Sequence, residues 1–165
     1  MPKHTRFLVA RRFRIAAALA LCCCAAAGAQ EAVPSAVKDE VFARKILMDT
    51  VDRAMDDIDW MGETIDLPKG IGLADTISAM LLALPHLFPP ATNRWQPNVA
   101  HDPARNTFAA PELWTNFPDF YRRAAEASQL ALDASKAKRA DDFKRLIGEL
   151  HEACEGCHAA YVKNE

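Results

Sequence analysis

Near the end of the 165-residue sequence, with seven residues to follow, stands Cys154-Glu155-Gly156-Cys157-His158, the stretch that most restricts the fold. Its spacing, C-x-x-C-H, is the mark of covalent c-type haem attachment. Each thiol can add across one vinyl group of a haem, giving two thioethers. On a helix Cys154 lies one turn before His158, and Cys157 is its immediate neighbour. The three side chains can then meet one macrocycle, with the imidazole reaching the iron from one side. The opposite face of the iron is left for some other part of the chain to fill or leave open.

Other chemistries use a C-x-x-C pair. A redox dithiol of the thioredoxin kind stands beside a βαβ pattern, and no such pattern occurs here. A zinc site could borrow His158 or His151. No second cysteine pair follows the N-terminal region, however, so the usual Cys₄ and Cys₃His sets cannot form. A simple disulfide near a helix end is the third reading. Haem is the preferred reading, with a haem-free zinc or dithiol helical protein as its remote rival.

The length suits one domain, and half of the residues are apolar, enough for a core. Alanine-rich helical patterns dominate, and no β-branched run alternates as a strand does, so the expected class is all-α. Residues 1–29 read as a cleaved secretory signal rather than as part of that domain. Lys3, Arg6, Arg11, Arg12 and Arg14 form a basic start, an apolar run follows from Ile15 to Ala27, and Ala27-Gly28-Ala29 suits cleavage before Gln30. The apolar run is short for a membrane span. Export to the periplasm is expected, with no membrane span in the remaining domain, 30–165. Without the signal, 15 basic residues face 22 acidic ones, a formal charge of −7. That balance argues against nucleic acid as a partner.

Four amphipathic helices are legible. Val37, Val41, Arg44, Met48, Val51, Met55 and Ile58 recur at spacings of four and three, the seam of a bundle helix from about 37 to 61. Arg44 is the one charge in that seam, while Asp49, Asp52, Asp56, Asp57 and Asp59 fall mostly on the solvent side. Gly62 and Pro68-Lys69-Gly70 mark a turn. A second helix is expected from about Leu73 to Leu87, bent near Pro85 and stopped by Phe88-Pro89-Pro90. A long proline-bearing connection follows to residue 110; its length needs a reason in a small domain. Pro111 suits a helix start, with Pro118 a candidate kink, and that third helix runs to about Lys138. Asp141 or Asp142 should cap the fourth, which carries the motif. The economical architecture is an antiparallel four-helix bundle with one long connection between helices two and three.

Only seven residues follow His158, so a second iron ligand must come from upstream. The candidates are Met48, Met55, Met61, Met80, His86, His101 and His151. His151 shares a helix and nearly a face with His158, so it cannot cross the haem plane. A methionine on an apolar face is usually core filling, yet Met48 lies centrally in the seam of helix one.

A C-terminal C-x-x-C-H on a four-helix bundle resembles the class II c-type cytochromes, the cytochrome c-prime family. The resemblance covers roughly residues 37–163. Arg44-Lys45-Ile46-Leu47-Met48 is similar to the family's R-x-x-x-[Leu/Met/Phe] in helix one. Leu87-Phe88-Pro89-Pro90 is similar to its segment after helix two, and Pro111-Glu112-Leu113-Trp114-Thr115 to its Pro-x-x-Trp opening of helix three. The resemblance implies one covalent haem c per chain, held by Cys154 and Cys157 with His158 as proximal ligand. It also implies that Met48 meets the distal face and that Arg44 is either a solvated charge or a partner for a haem propionate. With Met48 bonded to iron the protein is expected to be a non-enzymatic one-electron carrier serving redox partner proteins, since a thioether stabilises reduced iron. The alternative is a five-coordinate iron that binds NO or CO, with Met48 only covering it. Homodimerisation through helices one and two is a further implication. Two departures stand out. Val162 occupies the place four after His158 where the family commonly has a basic residue, and Glu155 the place after the first cysteine where lysine is frequent.

Overall fold

The structure is a computed structural model describing residues 35–96 and 107–163. The expected signal 1–29 and His101 in the long connection lie outside the described residues. Among the described residues five α-helices follow in order: α1 (Ser35–Asp59), α2 (Leu67–Ala83), α3 (Glu112–Thr115), α4 (Phe117–Ala134) and α5 (Ala140–Tyr161). The described residues contain no strand; a single isolated antiparallel bridge joins Ala109 to Val162. The four long helices form the expected bundle, and α3 is a short prelude to α4.

Each helix buries the stripe that its periodicity marks. On α1 Val37, Val41, Arg44, Val51, Ala54, Met55 and Ile58 are buried, Leu47 and Met48 half-buried, and Asp49, Asp52, Asp56, Asp57 and Asp59 exposed. The helix stops two residues early. Gly62, with φ of 57°, takes a left-handed turn there. A side chain at that position would be strained.

α2 begins six residues before its expected start. The Asp66 carboxylate accepts the Lys69 N–H at 3.2 Å, the usual bond of an N-cap. Pro68 sits in the first turn, where its missing N–H has no helical partner to lose. The Pro-Lys-Gly cluster is therefore a helix start and not a turn. Gly70 lets α2 press on the Phe143 ring: an added Cβ would stand 2.8 Å from Phe143 Cζ. At the other end Pro85 cannot donate to the ladder, and Leu84–Leu87 tightens into a 3₁₀ turn.

The third expected helix is broken at Asn116. α3 ends there, α4 restarts with Pro118 in its first turn, and it finishes at Ala134 rather than near 138. Neither Asp141 nor Asp142 caps α5. Arg139 holds the cap position without a side-chain bond, and the two aspartates occupy the first turn, where negative charge suits the helix dipole.

α2 packs against α1 and α4, and α4 against α5. Alanines 124, 127, 131 and 134 give α4 a flat face for its neighbours, and Ile77, Leu81, Phe120, Phe143, Ile147 and Leu150 fill the centre. Between α2 and α4 the Ser128 hydroxyl donates to the Ser78 carbonyl at 2.8 Å. This buried polar pair is thereby satisfied. Composition alone would let the apolar stretch Leu67–Leu87 cross a membrane, but Ala74, Ile77, Leu81 and Leu84 on it are bundle core. One neighbouring pair does not close: α1 and α5 hardly touch, and a cavity lies between them.

Candidate haem site

That cavity has a volume of about 700 Å³. From α5 come His151, Cys154, Cys157, His158 and Tyr161; from α1 come Arg44, Met48, Val51, Met55 and a row of aspartates; from α2 and its 3₁₀ end, Leu81 and Leu84. Thr107, Phe108 and Ala109 close another side. These last belong to the long connection and are tied to the end of the motif helix. The Ala110 N–H donates to the Tyr161 carbonyl at 2.8 Å, and the Lys163 N–H to the Phe108 carbonyl at 2.9 Å. The long connection thus has a structural reason: its last residues wall the cavity beside the motif.

All five residues singled out from the sequence line this one space: Cys154, Cys157, His158, Met48 and Arg44. The two thiols are free and half-buried. Burial, with Cys157 next to it, pushes the Cys154 thiol up to about 11. Burial also raises Cys157, against the opposing pull of Arg123. Of the other upstream candidates, Met55 is buried and also lines the cavity, Met61 and Met80 are half-buried away from it, and His86 is exposed, edge-on to Tyr121. His151 does reach the cavity, where its Nε2 lies 3.1 Å from the Asp59 carboxylate.

Arg44 corrects one expectation. It is only 2% exposed, so it is not a solvated helix charge. Its Nη1 donates to Thr92 Oγ1 at 2.9 Å and its Nη2 to the Thr92 carbonyl at 3.3 Å, with the Leu87 carbonyl at 3.4 Å from Nη1. The guanidinium lies over the Phe88 ring, 4.4 Å from its centre, and 5.6 Å from the Trp114 ring. Trp114 Nε1 in turn donates to the Phe88 and Pro89 carbonyls at 3.1 and 3.2 Å. The three segments that carry the resemblance outside the motif are therefore one clamp, holding α1, the end of α2 and α3 together. Burial pulls the Arg44 pKa down to about 10, against the raising effect of Glu40.

These residues fit a covalently held haem on the structure's own terms. Two unpaired thiols and an imidazole face an apolar space, and Arg44 Nε is a buried donor without an acceptor among the described residues. No three His, Cys, Asp or Glu side chains converge as a metal-ion site among the described residues.

Residues 39–162 match the sequence pattern of the family described as Cytochrome C'. The chain belongs to the cytochrome c′ family. As in that family, the cofactor is covalently attached haem c, one per chain. Solved structures similar in fold include cytochrome c′ from Thermochromatium tepidum (21% identity, TM-score 0.66, covering 78% of this chain and 97% of that one). Cytochrome c prime from Shewanella frigidimarina has 17% identity, a TM-score of 0.66 and the same coverage. Oxidized R. palustris cytochrome c556 has 21% identity and a TM-score of 0.62, covering 77% of this chain and 98% of that one. No curated protein sequence matches the chain.

Sequence reasoning missed Arg123, Asp119 and Thr92. Asp119 and Arg123 were legible as a helical i, i+4 ion pair, but nothing in the sequence put that pair beside the motif. Thr92, wholly buried under Arg44, lies in a segment with no periodicity to read.

Proposed function

We propose that this chain is an exported, non-enzymatic haem protein of the cytochrome c′ type, in which Met48 covers the distal side of the iron without bonding to it. Cys154 and Cys157 would hold the haem, His158 would ligate the iron, and Arg44 in the cavity wall would be a partner for a propionate. When bound, the haem supplies one-electron redox chemistry and an iron site for a small diatomic ligand. The chain's part is to fix that site and keep water from it. Val51, Met55, Leu84 and Phe88 give the cavity an apolar lining around Met48, suited to a neutral gas such as NO or CO. The observation that carries the reading is the cavity itself, with the motif on α5 facing Met48 on α1 across a gap the helices leave open.

A second reading bonds the Met48 sulfur to the iron and makes the protein an electron carrier for redox partner proteins. It is favoured by the same placement, since a thioether stands in the wall facing the motif. Visible absorption of the purified protein, oxidised and reduced, with and without CO, separates the two. A high-spin spectrum that changes sharply with CO supports an open distal face. Split low-spin bands indifferent to CO, abolished in Met48→Ala, would replace it with the electron-carrier reading.

Removal of residues 1–29 and residence in the periplasm belong to this proposal, because thioether attachment in such proteins follows export. Exposed Phe42 and Ile46 on α1 and Leu82 on α2 support a homodimer through these two helices. One solved relative in fold, at 19% identity and a TM-score of 0.65, is described as having an "unusual ligand-controlled dimer dissociation". Sedimentation of the haem-loaded protein with and without CO tests the dimer and its response to a ligand.

A further inference from the structure

One charged side chain enters the cavity from α4. Arg123 donates through Nε to Asp119 Oδ2 at 2.7 Å, and its Nη1 lies 3.4 Å from the carbonyl of Gly156, inside the C-x-x-C-H turn. A Cβ placed on Gly156 would stand 3.8 Å from that same nitrogen, so the guanidinium lies directly over the turn. Asp119 is fixed from two other sides. The Tyr161 hydroxyl donates to it at 2.6 Å, and Arg122 pairs with its other oxygen. Tyr161 is itself held by Asn116 and stands three residues after His158. One carboxylate thus joins the start of α4 to the end of the motif helix and aims Arg123 at the motif.

We propose that Arg123 is a positioning residue of the haem site: clamped by Asp119, it fixes the attachment turn and places a permanent positive charge that favours the reduced iron. This rests on the reading that the motif carries haem. Oxidation adds one positive charge to the site, and a fixed cation nearby opposes it. Asp119 offsets that effect in part. Arg122 shares the carboxylate but points outward to Glu126, and its side chain is 53% exposed against 34% for Arg123. Its field is therefore screened more by water. Neither the family pattern nor the spacing of charges assigns this task to α4. Val162 and Glu155 leave the motif helix without basic residues at the two places where resemblance would seek them.

The test is a potentiometric titration of haem-loaded protein with dithionite as electron donor, followed by absorption. Arg123→Gln should lower the midpoint, changing the reduced-to-oxidised ratio at a fixed poise by about threefold, or ~28 mV at ~59 mV per tenfold for one electron. Asp119→Asn should raise it, Arg123→Lys should stay near wild type, and Arg122→Gln should move it least. Opposite signs for Arg123→Gln and Asp119→Asn cannot come from mere loosening of the fold. A shift of both in one direction, or of neither, overturns the inference. Should Arg123→Gln fail to fold, Arg123→Lys decides: its midpoint should fall relative to wild type as pH passes ~10 and the ammonium loses its charge, and a difference that stays constant overturns the inference. Wild-type protein purified without covalent haem would remove the reading of the motif, and the inference with it.

Discussion

Replacing Arg44 by methionine tests whether the clamp stabilises the bundle or only tolerates a buried charge. Two bonds from the guanidinium to Thr92, at 2.9 and 3.3 Å, are charge-assisted. At ~1.5–3 kcal/mol each, they contribute ~3–6 kcal/mol together. Contact with the Phe88 face adds ~1 kcal/mol. Burial works against them, lowering the pKa from 12.5 to about 10. At ~1.4 kcal/mol for each pKa unit, that corresponds to a penalty of ~3 kcal/mol. The balance is ~1–4 kcal/mol in favour of arginine. Methionine keeps much of the stem's packing and gives up both the bonds and the penalty, so Arg44→Met should lose ~2–3 kcal/mol. Arg44→Lys should lose at least as much, because one point-like ammonium cannot reproduce the fork. Urea unfolding of haem-loaded protein at pH 7, followed by circular dichroism, reads the difference at constant m-value. An Arg44→Met variant as stable as wild type would refute the argument and place Arg44 among buried charges that hydrophobic residues replace without loss.

Three shorter predictions follow from the packing and the charges. Gly70→Ala gains ~1 kcal/mol in helix propensity but drives a Cβ to 2.8 Å from a Phe143 ring with no room to retreat. With overpacking at ~1–3 kcal/mol it should unfold at lower urea, and a higher midpoint would contradict the contact. Trp114→Phe removes the donor to the Phe88 and Pro89 carbonyls. It should lose ~1–2 kcal/mol in the same assay; no loss would mean water takes the donor's place. Asp119 is held well below the usual carboxylate range, by the Tyr161 hydroxyl first and then by Arg123 and Arg122. A carboxylate depressed in the folded state contributes in full above its unfolded pKa, and loses that contribution as pH falls below ~4. Wild type should therefore weaken from pH 5 to pH 2 more steeply than Asp119→Asn, and parallel pH profiles would sink the assignment.

The bundle was legible because its seams repeat at helical spacing, and the motif because its chemistry demands one spacing. Helix ends were less so, for identifiable reasons. Pro68 looked like a turn but lies in a first turn that Asp66 caps, and Asn116 interrupts a run whose apolar pattern continues across it. Arg44 shows a deeper limit. Its place in the apolar seam was visible, but its partners Thr92 and Phe88 lie in an aperiodic segment more than forty residues away, so whether it faced water or the core could not be read. Arg123 lies further still from legibility. The i, i+4 pair with Asp119 looks like any solvated helix pair, and only the crossing of α4 and α5 brings it over Gly156.

The gap between α1 and α5 carries a last prediction. Val51, Met55, Leu81, Leu84, Phe120, Ala124 and Ala127 all line it, and its volume is about 700 Å³. At ~24 cal/mol per Å³, a dry void of that size would cost on the order of 17 kcal/mol. That exceeds the ~5–15 kcal/mol by which domains are stable at all. A chain unable to attach haem must therefore flood this space or let α1 fall out of place. α2, α4 and α5 pack on one another through Ile77, Phe143, Ile147 and Leu150 and can hold without it. The double variant Cys154→Ser with Cys157→Ser should accordingly keep three helices and loosen the fourth. Amide exchange would show protection lost along 37–59 while 120–134 and 143–153 stay protected. Uniform protection equal to wild type would mean that the bundle holds the gap open by itself, and that the haem is a guest in the fold and not part of its core.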